Sequence, residues 1–472
     1  MEVPVVAGSI SLPSNTEIAP ATPLEDGNST AQARPEPAEK TPLDPAPYQP
    51  IFVTPSKYLT FIRHGRGRYR AEHPTRLANS LLVSAGFFEA ANAGDFAANV
   101  WNEIPVPTYA VVFMAVGGAV ALSTTFFAAQ DALLSWRNIR GLKAERSYLQ
   151  GQRERCCDQA QTRRTIDCLL DMNFRETGTE WVDRVALDVL MGLGALLISV
   201  GTILAIFGAD PAIYRASNLL SGYVGNVPCA VCGLLNLVWS LWVWRRACRH
   251  ESSGSHRLQS ARTLQKLQRR TSGVKLHGAL TGITGVVASA ASLVTATMWW
   301  GYVVLAPCIV AAVAANFLWR KRIGYTRPFV RQIVPLSEEM LEAELQYVEA
   351  RQRETAKSIS QPDVLARLVS DPASLACALD FLLRHGLFED FCVRVLADAE
   401  VRDAVGDVQG KTVSLDAEML ATADGATCDR LLAIAKSLVT DISHRYFLEQ
   451  ERYILECLGC YMTSSAVKPS GS

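Results

Sequence analysis

Charge is scarce in this chain. Asp, Glu, Lys and Arg make up only 19% of its 472 residues, while 49% are apolar, so an ordinary soluble surface is hard to build. Cysteine is thin too. Twelve in 472 residues is far from the density of a disulfide-stapled scaffold, and most are expected to be free thiols. The seven histidines, His64, His73, His250, His256, His277, His385 and His444, are isolated, and neither C-x-x-C pair, Cys229–Cys232 or Cys457–Cys460, has a second Cys pair or His at zinc-finger spacing. Phosphate loops, G-x-S-x-G, H-E-x-x-H and dinucleotide fingerprints are all missing. No metal, cofactor or catalytic residue is therefore expected, and an enzyme is the least favoured class. The opening MEVPVVAGSISLPSNTEIAP has no basic n-region, which argues against a cleavable signal peptide.

What charge there is falls unevenly. Residues 1–100 carry 8 basic and 10 acidic side chains, residues 101–336 carry 25 and 13, and residues 337–472 carry 13 and 23. A basic middle and an acidic end point to separate modules. Residues 1–54 are rich in Pro, Ala, Glu, Thr and Ser and read as a disordered tail. Residues 55–104 form a basic, aromatic stretch (PSKYLTFIRHGRGRYR) and then Leu77–Val100, which reads as an interfacial or re-entrant helix. The basic stretch is too short for a nucleic-acid module, so no nucleic acid is expected; lipid headgroups suit it better.

Long apolar runs dominate 105–330. A helix needs about 20 apolar residues to cross a bilayer. Spans are expected at about 106–129, 185–208, 219–244, 276–298 and 302–319. The last two share one run, 276–319, too long for a single crossing, so it must fold back at Trp299-Trp300-Gly301-Tyr302. The expected fold is an all-α membrane bundle of about five helices, with a helical domain over 337–472 in which no strands are foreseen. Basic residues after the first, third and fifth spans place those loops and the C-terminus in the cytoplasm, in the plasma membrane or an endomembrane. Five spans then put residues 1–100 on the far side. If Leu77–Val100 also crosses, the spans number six and the tail turns cytoplasmic. Asn28, in the only glycosylation sequon, would report which.

Few residues inside the spans suggest chemistry. Gly278, Gly282, Gly285, Ser289, Ser292 and Ala296 lie on one helical seam, suited to packing within the chain or to a homodimer. Asp188 is the one acid well inside a span and reads as an interfacial ion pair with Arg184. Asn226 and Asn236 could line a polar path or act as interhelical glue. Cys248, beside Arg245 and Arg246, is a candidate for palmitoylation.

The stretches PSKYLTFIRHGRGRYR and LLSWRNIRGLKAERSYL, with the span pattern between 105 and 330, make the chain similar to uncharacterised multi-spanning integral membrane proteins of filamentous fungi. The resemblance covers the middle of the chain and implies no site residues. Three functional classes stay open: a membrane adaptor or scaffold whose C-terminal domain binds protein partners, a transporter or channel component with a polar path through the third span, and a membrane-embedded enzyme.

Overall fold

A computed structural model describes residues 57–65, 68–79, 81, 83–101, 105–156, 159–356, 364–405, 407–409 and 411–464. The expected disordered tail and Asn28 lie outside the described residues. The chain opens with three strands, β1 (Tyr58–His64), β2 (Arg68–Ala71) and β3 (Arg76–Asn79). A 3-10 helix, Ser84–Ala93, leads into the short α1 (Phe96–Val100). Then come α2 (Thr108–Arg155) and α3 (Ala160–Thr179), which continues through a π turn into α4 (Leu187–Ala205). Helix α5 (Pro211–Asn218) likewise runs through a π turn into α6 (Asn226–Arg257), followed by α7 (Ala261–Thr295) and α8 (Gly301–Leu318). Strand β4 (Tyr325–Pro328) precedes α9 (Glu338–Ala356), α10 (Leu365–Leu368), α11 (Leu375–Arg384), α12 (Phe388–Ala397) and α13 (Ala399–Val405). Strands β5 (Asp407–Gln409) and β6 (Thr412–Asp416), α14 (Ala417–Ala421) and α15 (Gly425–Ser464) close the fold.

Five helical rods are long and apolar enough to cross a membrane: 108–155, 160–205, 211–257, 261–295 and 301–323. Each of the first three is 46 to 48 residues long, about 70 Å, more than twice a bilayer core. Their apolar halves form one bundle, and their charged halves continue past it. Local chemistry sets the starts. Asp210 accepts from the Ala212 amide at 2.8 Å with Pro211 in the first turn, and Ser260 accepts from Thr263, both ordinary N-caps. The fold-back in 276–319 is present, with the turn between Thr295 and Gly301. A Cβ on Gly301 would stand 3.0 Å from the Ala291 carbonyl, so the glycine permits the close return.

The small-residue seam of α7 packs on α6. A Cβ on Gly233 would lie 2.5 Å from the Gly285 carbonyl, and Gly278 and Gly282 close on Ser240. Ser289 donates to the Cys229 carbonyl at 3.0 Å, and Ala296 abuts Gly222. The seam is thus spent inside the chain.

Residues 84–101 run through the bundle. Gly86 packs on Asn316 near the end of α8, Gly94 meets Gly117 midway along α2's apolar half, and Trp101 stacks edge-on against Tyr109 at its start. This segment therefore makes a sixth end-to-end passage, enclosed by α2, α4 and α8. Strand pairing demands the same count. β1 pairs antiparallel with β6, and β3 with β4, so residues 57–79 share an end with everything after α8. An odd number of passages cannot do that. Among the described residues, 57–79 therefore lie at the same end as the strands and helices after α8, the arrangement of the six-span alternative, while the five expected apolar helices are all present. The expected surface or re-entrant placement of Leu77–Val100 is replaced by a core passage. Its polar residues misled, because an element walled in by other helices needs partners, not an apolar exterior.

Helix dominates, but the C-terminal region also holds a four-stranded antiparallel sheet, β2-β1-β6-β5, which the sequence reading did not foresee. The basic stretch supplies two of its strands. Leu59 and Phe61 alternate inward to join Leu382, Phe391, Val413, Leu438 and Phe447 in one core. A second core, with Leu149, Met172, Leu267, Tyr325, Leu341 and Leu458, joins the charged helix halves to α15. The polar end is therefore a single module built from both ends of the chain.

Candidate functional site

The charged helix halves are held together by a buried ionic junction. Arg327, on β4 and fully buried, donates to Glu145 of α2 through two bonds of 2.7 Å and to Glu176 of α3 at 2.9 and 3.0 Å. Tyr325 donates to Glu176 at 2.7 Å and accepts from Arg175 at 2.8 Å. Glu456 of α15 meets three guanidiniums, Arg175 of α3, Arg246 of α6 and Arg270 of α7. Arg246 also bonds Asp171 at 2.9 Å. Four arginines thus meet four carboxylates. Burial works against the charge on Glu456, yet Arg175, Arg246 and Arg270 hold its carboxyl well below the usual range. Glu145 is likewise lowered, because Arg327 outweighs its desolvation. Such closed networks are costly to break from one side.

Above this floor opens a cleft of about 990 Å³. One wall is a single face of α2: Leu134, Arg137, Asn138, Gly141, Ala144 and Tyr148. The facing walls are the β1–β3 region and residues 329–331. Arg76 is tied to Asp390, Arg184 to Asp131 and Glu180, and Glu145 to Arg327. Arg70, Arg137, Arg140 and Arg331 have no ion-pair partner among the described residues and face the opening, as do His64 and His73. They stand against Glu72 and Glu389, the latter accepting from Thr75. No serine, threonine, cysteine, lysine or aspartate lines the cleft among the described residues. That lining suits an anion; its polar groups besides the arginines are Tyr148, Asn138, the two histidines and the glutamates. Beside it, Trp136 and Trp181 pack edge to face at 5.7 Å where the apolar half of α2 gives way to its arginines.

The sixth passage carries a second polar set. A 3-10 helix repeats every three residues, so Glu89 and Asn92 share one face; Asp95 follows the helix end at the start of α1. Asn92 donates to Glu89 at 2.9 Å and accepts from the Cys229 thiol at 3.2 Å. Asp95 accepts from Tyr302 at 2.8 Å and Asn99 at 2.9 Å.

The residues singled out in the sequence scatter over these features. Asp188 is buried, but Arg184 does not pair with it. The guanidinium is taken by Asp131 and Glu180, and neither Asp188 oxygen has a hydrogen-bond partner. The expected partly wet Asp188–Arg184 pair is therefore corrected: Arg184 has two closer carboxylates, and both residues are buried. Asn226 donates to the carbonyls of Gly222 and Ser292 at 2.9 Å, which is interhelical glue. The Asn236 amide lies near Gly285 on the same α6–α7 seam. Cys248 is exposed.

Sequence reasoning missed a grouping of donors from three distant segments. Asp171, His250 and Cys460 place one donor atom each within 4.8 Å of one another, and the Cys168 and Cys457 sulfurs lie 4.0 Å apart close by. Arg246 already spans Asp171 and Cys460, at 2.9 and 2.7 Å, so a metal ion would compete with this guanidinium for the same donors. Burial and then Arg246 push His250 well below its ordinary 6.5. Spacing along the chain gave no signal for either the grouping or the cleft. No family model, curated protein or solved structure matches the chain.

Proposed function

We propose that the protein is a six-pass membrane protein acting as a non-enzymatic adaptor or scaffold, with the module of strands and helices on the cytoplasmic side. Five apolar rods and their outward-facing Val112, Phe113, Val116, Val238, Leu241, Val303 and Val310 support the membrane reading, since soluble proteins rarely expose so broad an apolar surface. The basic residues at the module's end support the cytoplasmic side. The observation that carries the adaptor reading is the fusion of the module to the bundle through paired, buried charges, with an arginine-lined cleft as its open polar feature. A rigidly mounted platform presents a surface; it does not turn over a substrate. Its partners are proteins that reach the module or lipids that reach the cleft.

The polar set Glu89, Asn92 and Asp95 on the sixth passage favours a second reading, a proton- or cation-coupled transporter, because acids inside a bundle commonly mark ion paths. One experiment separates the two. Purified protein in sealed vesicles is assayed for proton and monovalent-cation flux, with Glu89→Gln and Asp95→Asn alongside. The adaptor reading predicts flux no higher than in protein-free vesicles for all three. Flux that the substitutions abolish would replace it with the transporter reading.

A further inference from the structure

The cleft brings together three independent features. Its four guanidiniums without an ion-pair partner among the described residues, Arg70, Arg137, Arg140 and Arg331, come from β2, α2 and the segment after β4, so it exists only in the folded chain. Its volume of about 990 Å³ is at the upper end of ordinary ligand sites. Its position is set by α2. Leu133 is exposed and Leu134 half-buried on the apolar side, Trp136 and Trp181 mark the boundary, Arg137 follows directly and Arg140 one turn later. Tryptophans at such a boundary sit at headgroup level in a bilayer.

We propose that the cleft binds phosphomonoester groups, the chemistry of a phosphorylated inositol headgroup. A planar guanidinium donates two parallel bonds to phosphate oxygens, and four converging on one space suit more than one phosphate. Glu72 and Glu389 offset only part of the four positive charges in the cleft, and a multiply charged anion offsets the rest. A carboxylate-bearing or zwitterionic headgroup supplies less charge and fewer acceptors. The proposal rests on the membrane reading above, because that reading puts the cleft at headgroup level.

The test uses the full chain in nanodiscs. Binding is measured with phosphatidylinositol phosphates, with phosphatidylserine at matched total charge, and with soluble inositol hexakisphosphate as a free phosphate source. The expected result is saturable binding of the phosphorylated lipid, at least about tenfold tighter than of phosphatidylserine. Arg137→Gln with Arg140→Gln and Arg331→Gln should remove that preference. Arg249→Gln with Arg269→Gln, exposed cations at the same end but outside the cleft, should leave it intact. Unfolding temperatures of both variants establish that each is folded. If the soluble phosphate binds as tightly as the lipid, the chemistry stands and the source is the cytosol. Equal affinity for phosphatidylserine, or unchanged binding in the triple variant, overturns the proposal. Failure of the chain to enter a bilayer would overturn the membrane reading and this proposal together; normal insertion without phosphate preference overturns this proposal alone.

Discussion

Phe61 stands opposite Val413 across the β1–β6 pair, and both side chains are buried in the same core. The pair joins the first described strand to one near the end of the chain, with the whole helical bundle between them in sequence. It makes the module a product of both termini. Phe61→Ala should therefore loosen residues 337–464, not only the first strand. The expected loss is about 3–5 kcal/mol, read as a lower denaturant midpoint and faster proteolysis of the C-terminal helices. Residues 337–472 expressed alone should be unstable, and a covalently attached 57–71 segment should restore protection. Equal stability with and without that segment would refute the shared core.

The junction makes a second prediction. Arg327 holds Glu145 and Glu176 in a site where all three are buried. Arg327→Met should destabilise the protein by about 3–5 kcal/mol, because two carboxylates lose their counter-charge. Arg327→Met combined with Glu145→Gln and Glu176→Gln should recover part of that loss, which a double-mutant analysis of unfolding midpoints would measure.

Acid should weaken the module. His385 is boxed by Tyr347, Phe381, Tyr446 and Phe447, and burial, with Arg351 and Arg384 nearby, pushes it down to about 3. Unfolded, it would titrate at 6.5. Between these values the unfolded chain binds a proton that the folded chain refuses, so stability present above pH 6.5 is lost as pH falls toward 3. Glu456, also lowered, adds the same sign below about 4.5. His385→Gln should flatten the fall in unfolding temperature between pH 6.5 and 4.5 while leaving the steeper acid limb in place.

Two glycines give opposite expectations. Gly233→Ala would push a methyl onto the Gly285 carbonyl and the Ser289 hydroxyl, and must separate α6 from α7. Gly273→Ala meets nothing within 4 Å and should raise stability by up to about 1 kcal/mol through helix propensity. Thermal unfolding in detergent distinguishes them: a lower midpoint for the first, an unchanged or higher one for the second.

How much of this was legible in the sequence depends on whether the signal was local. The five apolar rods, the fold-back at Gly301 and the α7 seam follow from run length and small-residue spacing, both local patterns. The sixth passage was legible only as an alternative, because Asn92 and Asp95 find partners on other elements, Cys229 and Tyr302. The sheet was hidden because Leu59 and Phe61 alternate over too few residues to stand out, and their mates lie beyond the bundle. The cleft was half legible. Arg137, Arg140 and the 63–70 arginines were visible as charge, but only folding brings Arg331 and Arg70 across from α2. Asp188 misled for the opposite reason: Arg184 is near it in sequence, yet Asp131, from another helix, is nearer in space.

The account turns on residues 57–79 sharing a side with the C-terminus, and thiol accessibility tests this most directly. In a background with Cys156, Cys157, Cys248, Cys377 and Cys428 replaced by serine, one added cysteine at a time replaces Gly65, at the module's end, or Ala209, at the opposite end; both positions are exposed. A membrane-impermeant thiol reagent is applied to intact and permeabilised cells, with a C-terminal tag as reference. Six passages predict that position 65 behaves like the tag, and position 209 the reverse. Labelling of position 65 together with position 209, opposite to the tag, would contradict the account.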